Sequence, residues 1–287
     1  MALALLPIIG LYVLAAFLAI ATFVLAVADG DAGAILGWLF LASCFGIVVV
    51  LHVLRGDQLI LRSAGAKTVE RDEERDIQEL VRRTAAAADL PPPRVAVIRS
   101  QAPNAVAVGL RPKHATVALT TELVRRLDRK ELEAVVAHEV AHLGNRDGVV
   151  MTFVSGPSIL GDVMRDDGGG KGWVFFYVFY WPVYVLGLML MWAISRYREY
   201  TADRGSALIT GAPEQLMSAL VEIADEEPEG DLRGGAAVSA LCIVPAQRKK
   251  SRLGFLRRFE IFMDHPPLEK RLRRLGEVAR EMGRPVR

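Results

Sequence analysis

Five histidines occur in 287 residues, and two of them fall in the run His138-Glu139-Val140-Ala141-His142. On a helix, residues four apart lie on one face a turn apart, so both imidazoles can reach a single ion. Zinc suits such a pair, because imidazole nitrogens bind it at about 2.0–2.1 Å in tetrahedral geometry. Glu139 follows the first imidazole and stands beside the open position. Its carboxylate can take a proton from the attacking water there and later pass it to the leaving amine. A catalytic zinc needs a third protein ligand. The segment Arg198-Glu199-Tyr200-Thr201-Ala202-Asp203 offers two carboxylates, Glu199 and Asp203, again four apart. One can bind the ion while the other braces a ligating imidazole. The bland alternative is a solvated acidic face paired with Arg198 and Arg204; the HExxH run upstream favours the ligand.

These groups need rigid elements to hold them. Asp128 and Glu131 form a capping-box pattern at the start of the HExxH helix. Leu132, Val135, Val136, Val140 and Leu143 supply its apolar face, and Gly144 ends it. Upstream, Val69 to Asp89 reads as an amphipathic helix with Ile77, Leu80 and Val81 inward, ending before Pro91, Pro92 and Pro93. Three short strands follow, Arg94 to Arg99, Asn104 to Gly109 and Ala115 to Thr120, punctuated by turn residues. They are expected to form a small antiparallel sheet. If the Asn104 to Gly109 strand has a free side, an extended peptide can add to it by backbone hydrogen bonds. Leu268 to Met282 reads as a final helix.

The rest of the chain is greasy. Hydrophobic residues make up 52%, above the about 45–50% of soluble domains with glycine counted in. Met1 to Ala28 and Ala32 to Leu54 carry no charge, and Asp29, Gly30 and Asp31 separate them. Each is long enough to span a bilayer as helix, which takes about 20 residues. Gly172 to Ser195 is a third uncharged run, with Pro182 inside it; Gly148 to Met164, with Asp162, is a fourth and weaker one. Basic residues flank these runs on the soluble side: Arg55, Arg62 and Lys67 after the second, Arg196, Arg198 and Arg204 after the last. That bias predicts a cytoplasmic soluble part. The expected organisation is a transmembrane hairpin at 1–54, a protease part at 55–147, a second hydrophobic hairpin at 148–195 and a C-terminal protease part at 196–287. With Lys and Arg at 35 against 33 Asp and Glu, a net charge of +2 gives no argument for nucleic-acid binding. Two distant cysteines, Cys44 and Cys242, make no disulfide framework.

HEVAH, then REYTAD after a hydrophobic hairpin, then Asp264-His265-Pro266-Pro267 with Arg271, resembles the HtpX-like integral membrane zinc metallopeptidases, distant relatives of the CAAX-prenyl-protein endopeptidases. The resemblance covers essentially the whole chain. It implies a mainly α membrane protein: transmembrane helices plus a zincin-type cytosolic domain. It also implies one zinc ion held by His138, His142 and Glu199, with Glu139 as general base. Asp203 would orient a zinc histidine. Asn104 and Ala105 would bind substrate at the edge strand, and His265 and Arg271 would steady the substrate carbonyl oxygen as it gains charge. The implied substrates are extended or unfolded segments of misfolded or surplus membrane proteins, with self-cleavage as one outcome. The implied setting is the inner or plasma membrane, with the site facing the cytoplasm. Two other readings are a CAAX-type processing enzyme and a non-catalytic membrane protein with a structural zinc.

Overall fold

The structure, a computed structural model, describes residues 20–25, 27–40, 43, 61, 66–68, 75–150, 193–224 and 266–284. The chain divides into two compact units, residues 1–56 with 154–191, and residues 57–153 with 192–287.

In the first unit the described residues on either side of a break at 29–31 are helical. Gly30 sits at φ +65°, which a side chain rarely adopts, and the Asp31 carboxylate accepts the Ala34 N–H at 3.0 Å to cap the following helix. The acidic break expected from sequence is therefore a turn. Ile20, Val24, Leu25, Leu36, Leu39 and Phe40 are exposed around it. Most of the four expected spans lie outside the described residues; among those described, no helix is long and apolar enough to cross a membrane.

The second unit is built on a four-stranded sheet: β1 (Ala66–Thr68), β2 (Arg94–Ile98), β3 (Ala105–Val108) and β4 (Thr116–Thr120), in the order β1-β2-β4-β3. Three strands lie within a residue or so of their expected ends. The pairing differs from expectation: the sheet is mixed, not antiparallel. β2 and β4 run parallel with Val95 opposite Val117, while β1 on β2 and β3 on β4 are antiparallel. The cause is order. After β2 the chain reverses into β3 but leaves a one-strand gap. A second reversal restores the original direction, and β4 fills the gap. β4 is central and buried along its whole length, as its apolar and threonine sequence suits. β3 is left at an edge.

Helices cover the sheet. α1 (Arg75–Ala87) buries Ile77, Leu80 and Val81 as expected; residues 69–74, which the sequence reading also made helical, lie outside the described residues. α2 (Thr121–Arg126) is capped by the Thr120 side chain. α3 (Arg129–Gly144) opens with a complete capping box: Asp128 accepts the N–H groups of Lys130 and Glu131, and Glu131 reaches back to the Asp128 N–H at 3.0 Å. Such a cap stabilises a helix by about 0.5–2 kcal/mol. α4 (residues 193–210) and α5 (Pro213–Ala224) follow, and α6 (Leu268–Glu281) closes the unit. α3 packs against α1, α5 and β3, and α6 against α5. Val117, Leu119, Leu123, Val135, Val136, Leu216, Leu220 and Leu275 form one continuous core. The inward stripe of α4 is unusual. Ser195, Arg198, Glu199, Ala202, Asp203 and Ser206 recur each turn and are all buried, so the face turned to α3 is mostly polar. Two contacts fix that approach. The Ser206 hydroxyl donates to the Ala134 carbonyl at 2.6 Å. Gly205 lies so near that a Cβ there would stand 2.6 Å from the Cβ of Ala141.

Candidate metal centre

α3 and α4 bring the expected ligands together. His138, His142 and Glu199 each offer a ligand atom, all within 4.8 Å of one another, and all three side chains are buried. The two Nε2 atoms are 3.1 Å apart. Glu199 Oε2 stands 3.5 Å from His138 Nε2, and its Oε1 3.6 Å from His142 Nε2. Ligands about 2.05 Å from a tetrahedral ion would be separated by roughly 3.3–3.4 Å. The Glu199 carboxylate faces each Nε2 with a different oxygen, and one atom from each of the three residues lies within 4.8 Å of the others, so the cluster can hold a zinc-sized ion.

The proton positions argue the same way. His138 Nδ1 faces Asp203 Oδ1 at 3.1 Å, and His142 Nδ1 faces Asp147 Oδ2 at 2.6 Å. The His142–Asp147 pair is a hydrogen bond, whereas His138 Nδ1 meets Asp203 as a charge contact without one; either carboxylate favours a proton on Nδ1 and turns Nε2 toward an ion. Two bare lone pairs 3.1 Å apart repel, so the space between the Nε2 atoms calls for a cation, a shared proton in the metal-free site or a metal ion in its place. The surrounding charge also falls short. Among the described residues the buried ionisable groups here are Glu139, Asp147, Glu199 and Asp203 against Arg198 and Arg271, a net of −2 when all are ionised. One divalent cation neutralises that excess, and buried charge without compensation is expensive. The same excess acts on His138. Burial pushes its imidazole down, but Asp203 and Glu199 outweigh it and raise the group to about 9.

Arg271 enters from α6. Its Nε and Nη2 donate to the two oxygens of Asp203 at 2.9 and 2.6 Å, and its Nη1 lies 3.6 Å from Glu199 Oε2. Burial works against the charge of both partners, yet their mutual attraction prevails: Asp203 is held below, and Arg271 above, its ordinary range. Glu139 shares the HExxH turn. Burial raises its carboxyl, while the two imidazoles and the Ala107 backbone N–H, on β3, favour the charged form.

Asn104 and Ala105 are buried where the chain enters β3. The Asn104 side chain accepts the Ala105 N–H at 2.9 Å, and its backbone is bound to Thr120. His265 lies outside the described residues. Two residues of the cluster were not among the expected site residues. Asp147 follows the helix end by a turn in which Arg146 adopts φ +56°; an acidic residue five positions after the second histidine was the available signal. Arg198, read from sequence as a flanking charge at a membrane edge, is instead only 4% exposed and stands beside Asp147 and Glu199.

The sequence model of peptidase family M48 matches residues 71–279, which include both motif-bearing helices and all but the last two residues of α6. The chain belongs to peptidase family M48. Relatives named as HtpX homologs match along most of their length. A protease HtpX homolog of Moorella thermoacetica is 39% identical over 85% of this chain and 88% of that one. Protease HtpX homolog 2 of Methanosarcina mazei is 36% identical over 85% and 86%, and protease HtpX homolog 1 of Streptomyces coelicolor 35% over 86% and 84%. Among solved structures, the crystal structure of S. mikatae Ste24p aligns with a TM-score of 0.47 at 19% identity, covering 90% of this chain and 61% of that chain. This M48 chain is accordingly a metalloprotease, related to the HtpX proteases, with a His-His-Glu cluster fit for a metal.

Proposed function

We propose that the chain is a membrane-bound zinc endopeptidase that cuts extended or unfolded cytoplasmic segments of misfolded or surplus membrane proteins. The observation that carries the reading is the buried cluster of His138, His142 and Glu199, whose ligand atoms lie within 4.8 Å of one another, with Glu139 on the same helical turn. Zinc, when bound, supplies Lewis acidity toward a peptide carbonyl and a lowered water pKa. The remaining work falls to side chains. Glu139, its carboxyl raised by burial, accepts a proton from the attacking water and hands it to the leaving nitrogen. Arg271, with His265, steadies the carbonyl oxygen as charge develops; Asp203 holds His138 in its tautomer.

β3, at the sheet edge beside Glu139, is the element that would receive an extended peptide by backbone pairing, with Asn104 and Ala105 at its entrance. Its Ala105 and Ala107 N–H groups are held by Asn104 and Glu139 until a peptide takes their place. Such pairing reads backbone, so it favours unfolded segments over a particular sequence. The apolar runs of the first unit and the basic residues that follow them support an inner- or plasma-membrane anchor with the site on the cytoplasmic side. A structural zinc would be closed by a fourth protein ligand; among the described residues the cluster offers three.

The test uses full-length protein in detergent with unfolded casein as substrate. Wild type is expected to cleave, to stop on chelation and to recover with added zinc. Glu139→Gln is expected to retain zinc and lose cleavage. Casein cleavage by Glu139→Gln at the wild-type rate would overturn the reading.

A further inference from the structure

Each ligating imidazole has a carboxylate at Nδ1 and a guanidinium beyond it; the imidazole is hydrogen-bonded to its carboxylate on the His142 side and in charge contact only on the His138 side. Behind His138 stands Asp203, and behind Asp203 stands Arg271. Behind His142 stands Asp147, whose Oδ2 receives the Nδ1–H at 2.6 Å and lies 3.4 Å from Arg198 Nε. Each arginine also reaches toward Glu199, Arg271 at 3.6 Å from Oε2 and Arg198 at 4.0 Å from Oε1. We infer that Asp147 and Arg198 are positioning residues, a second imidazole–carboxylate–guanidinium relay that aims His142 at the ion. The inference rests on the metal-centre reading above and deepens it.

Three observations carry it. First, Asp147 and Arg198 are buried to the same degree as the ligands, where an apolar pair of similar volume would often be as stable or more so. A polar pair kept there points to a task beyond packing. Second, the backbone goes out of its way to deliver Asp147. Arg146 holds φ +56°, a conformation that costs a non-glycine residue energy and persists where the surroundings demand it, and the turn lays Asp147 back over the last turn of α3. Third, the relay is loosely closed. Arg198 Nε and Nη1 and Asp147 Oδ1 are buried and make no hydrogen bond among the described residues. Arg198 thus acts on Asp147 as a nearby positive charge, unlike Arg271, which clamps Asp203 with two hydrogen bonds. Charge, not a fixed fork, is what this position requires, and lysine can supply it. On α4 the order is then Arg198, Glu199 and Asp203: a cation for one relay, the shared ligand, and the carboxylate of the other.

The experiment measures zinc binding by the full-length chain in detergent, by competition with a chromophoric chelator, and records the visible absorption of the cobalt(II) form. Asp147→Asn keeps shape and loses charge; it is expected to weaken zinc by about 10–100-fold and to shift the cobalt bands. Arg198→Met is expected to weaken zinc in the same direction and Arg198→Lys to recover most of the affinity, a rescue that a purely packing role would not produce. If Asp147→Asn does not fold, the two Arg198 variants decide. Wild-type zinc affinity and an unchanged cobalt spectrum in Arg198→Met, and in Asp147→Asn where it folds, overturn the inference and leave the zinc reading intact. Failure of the wild type itself to bind zinc overturns the zinc reading first.

Discussion

The two sides of the HExxH helix reach one chemical end by different routes. On the His138 side the carboxylate and guanidinium come from two other helices: Asp203 on α4 and Arg271 on α6. On the His142 side the carboxylate is five residues away in sequence, at the start of the helical segment that follows the turn after α3, and only the arginine comes from afar. The first relay ties three helices together through a bidentate pair, so it is at once a device for the ion and a rivet for the fold. The second is local and loosely closed. Metal affinity and stability should therefore separate cleanly between the two sides.

The harshest break removes a metal ligand outright. Glu199→Ala or His138→Ala should abolish stoichiometric zinc, read by metal analysis of the purified chain, and cleavage with it. Next comes Glu139→Gln, which leaves both relays standing and should lower the casein cleavage rate about 10²–10⁴-fold at normal zinc content. Asp203→Asn sharpens the contrast. It strips a buried guanidinium of its partner, a change that costs about 3–5 kcal/mol when a buried pair is broken, so its melting temperature should fall well below that of Asp147→Asn. Equal melting temperatures in the two variants would erase the distinction.

A smaller effect concerns protons. His138 is raised to about 9, so below that pH the metal-free ring carries an extra proton that ligation must displace. Zinc uptake near pH 8 should release a proton into unbuffered indicator solution, and apparent affinity should fall as pH drops and climb as it rises toward 9. The mildest change is Asp128→Ala at the α3 cap, which should lower stability by about 0.5–2 kcal/mol in a chemical melt while leaving zinc affinity unchanged.

What could be read in advance was what is local. The Asp128 and Glu131 pair lies within one turn, so its cap was legible before any fold was known; the apolar and β-branched runs of β2, β3 and β4 were legible for the same reason. The parallel pairing of β2 with β4 was not, because insertion of a later strand between two earlier ones leaves no trace in either strand's residues. The chemistry followed the same divide. Spacing of four on a helix announced His138 with His142, and Glu199 with Asp203. Asp147 escaped because a left-handed residue turns the chain back there, and side-chain types do not advertise φ. Arg198 was misjudged because a basic residue after an apolar run looks the same whether it meets headgroups or a buried carboxylate.

Gly205 shows where ordinary protein engineering would go astray here. Replacing a glycine inside a helix by alanine commonly adds about 0.4–1 kcal/mol to stability by restricting the unfolded chain, and a thermostabilisation campaign would choose this position early. The methyl group would instead press on the methyl of Ala141 at a distance atoms do not tolerate. One helix would be levered off the other, and a catalyst would be lost through a residue that has no functional group at all.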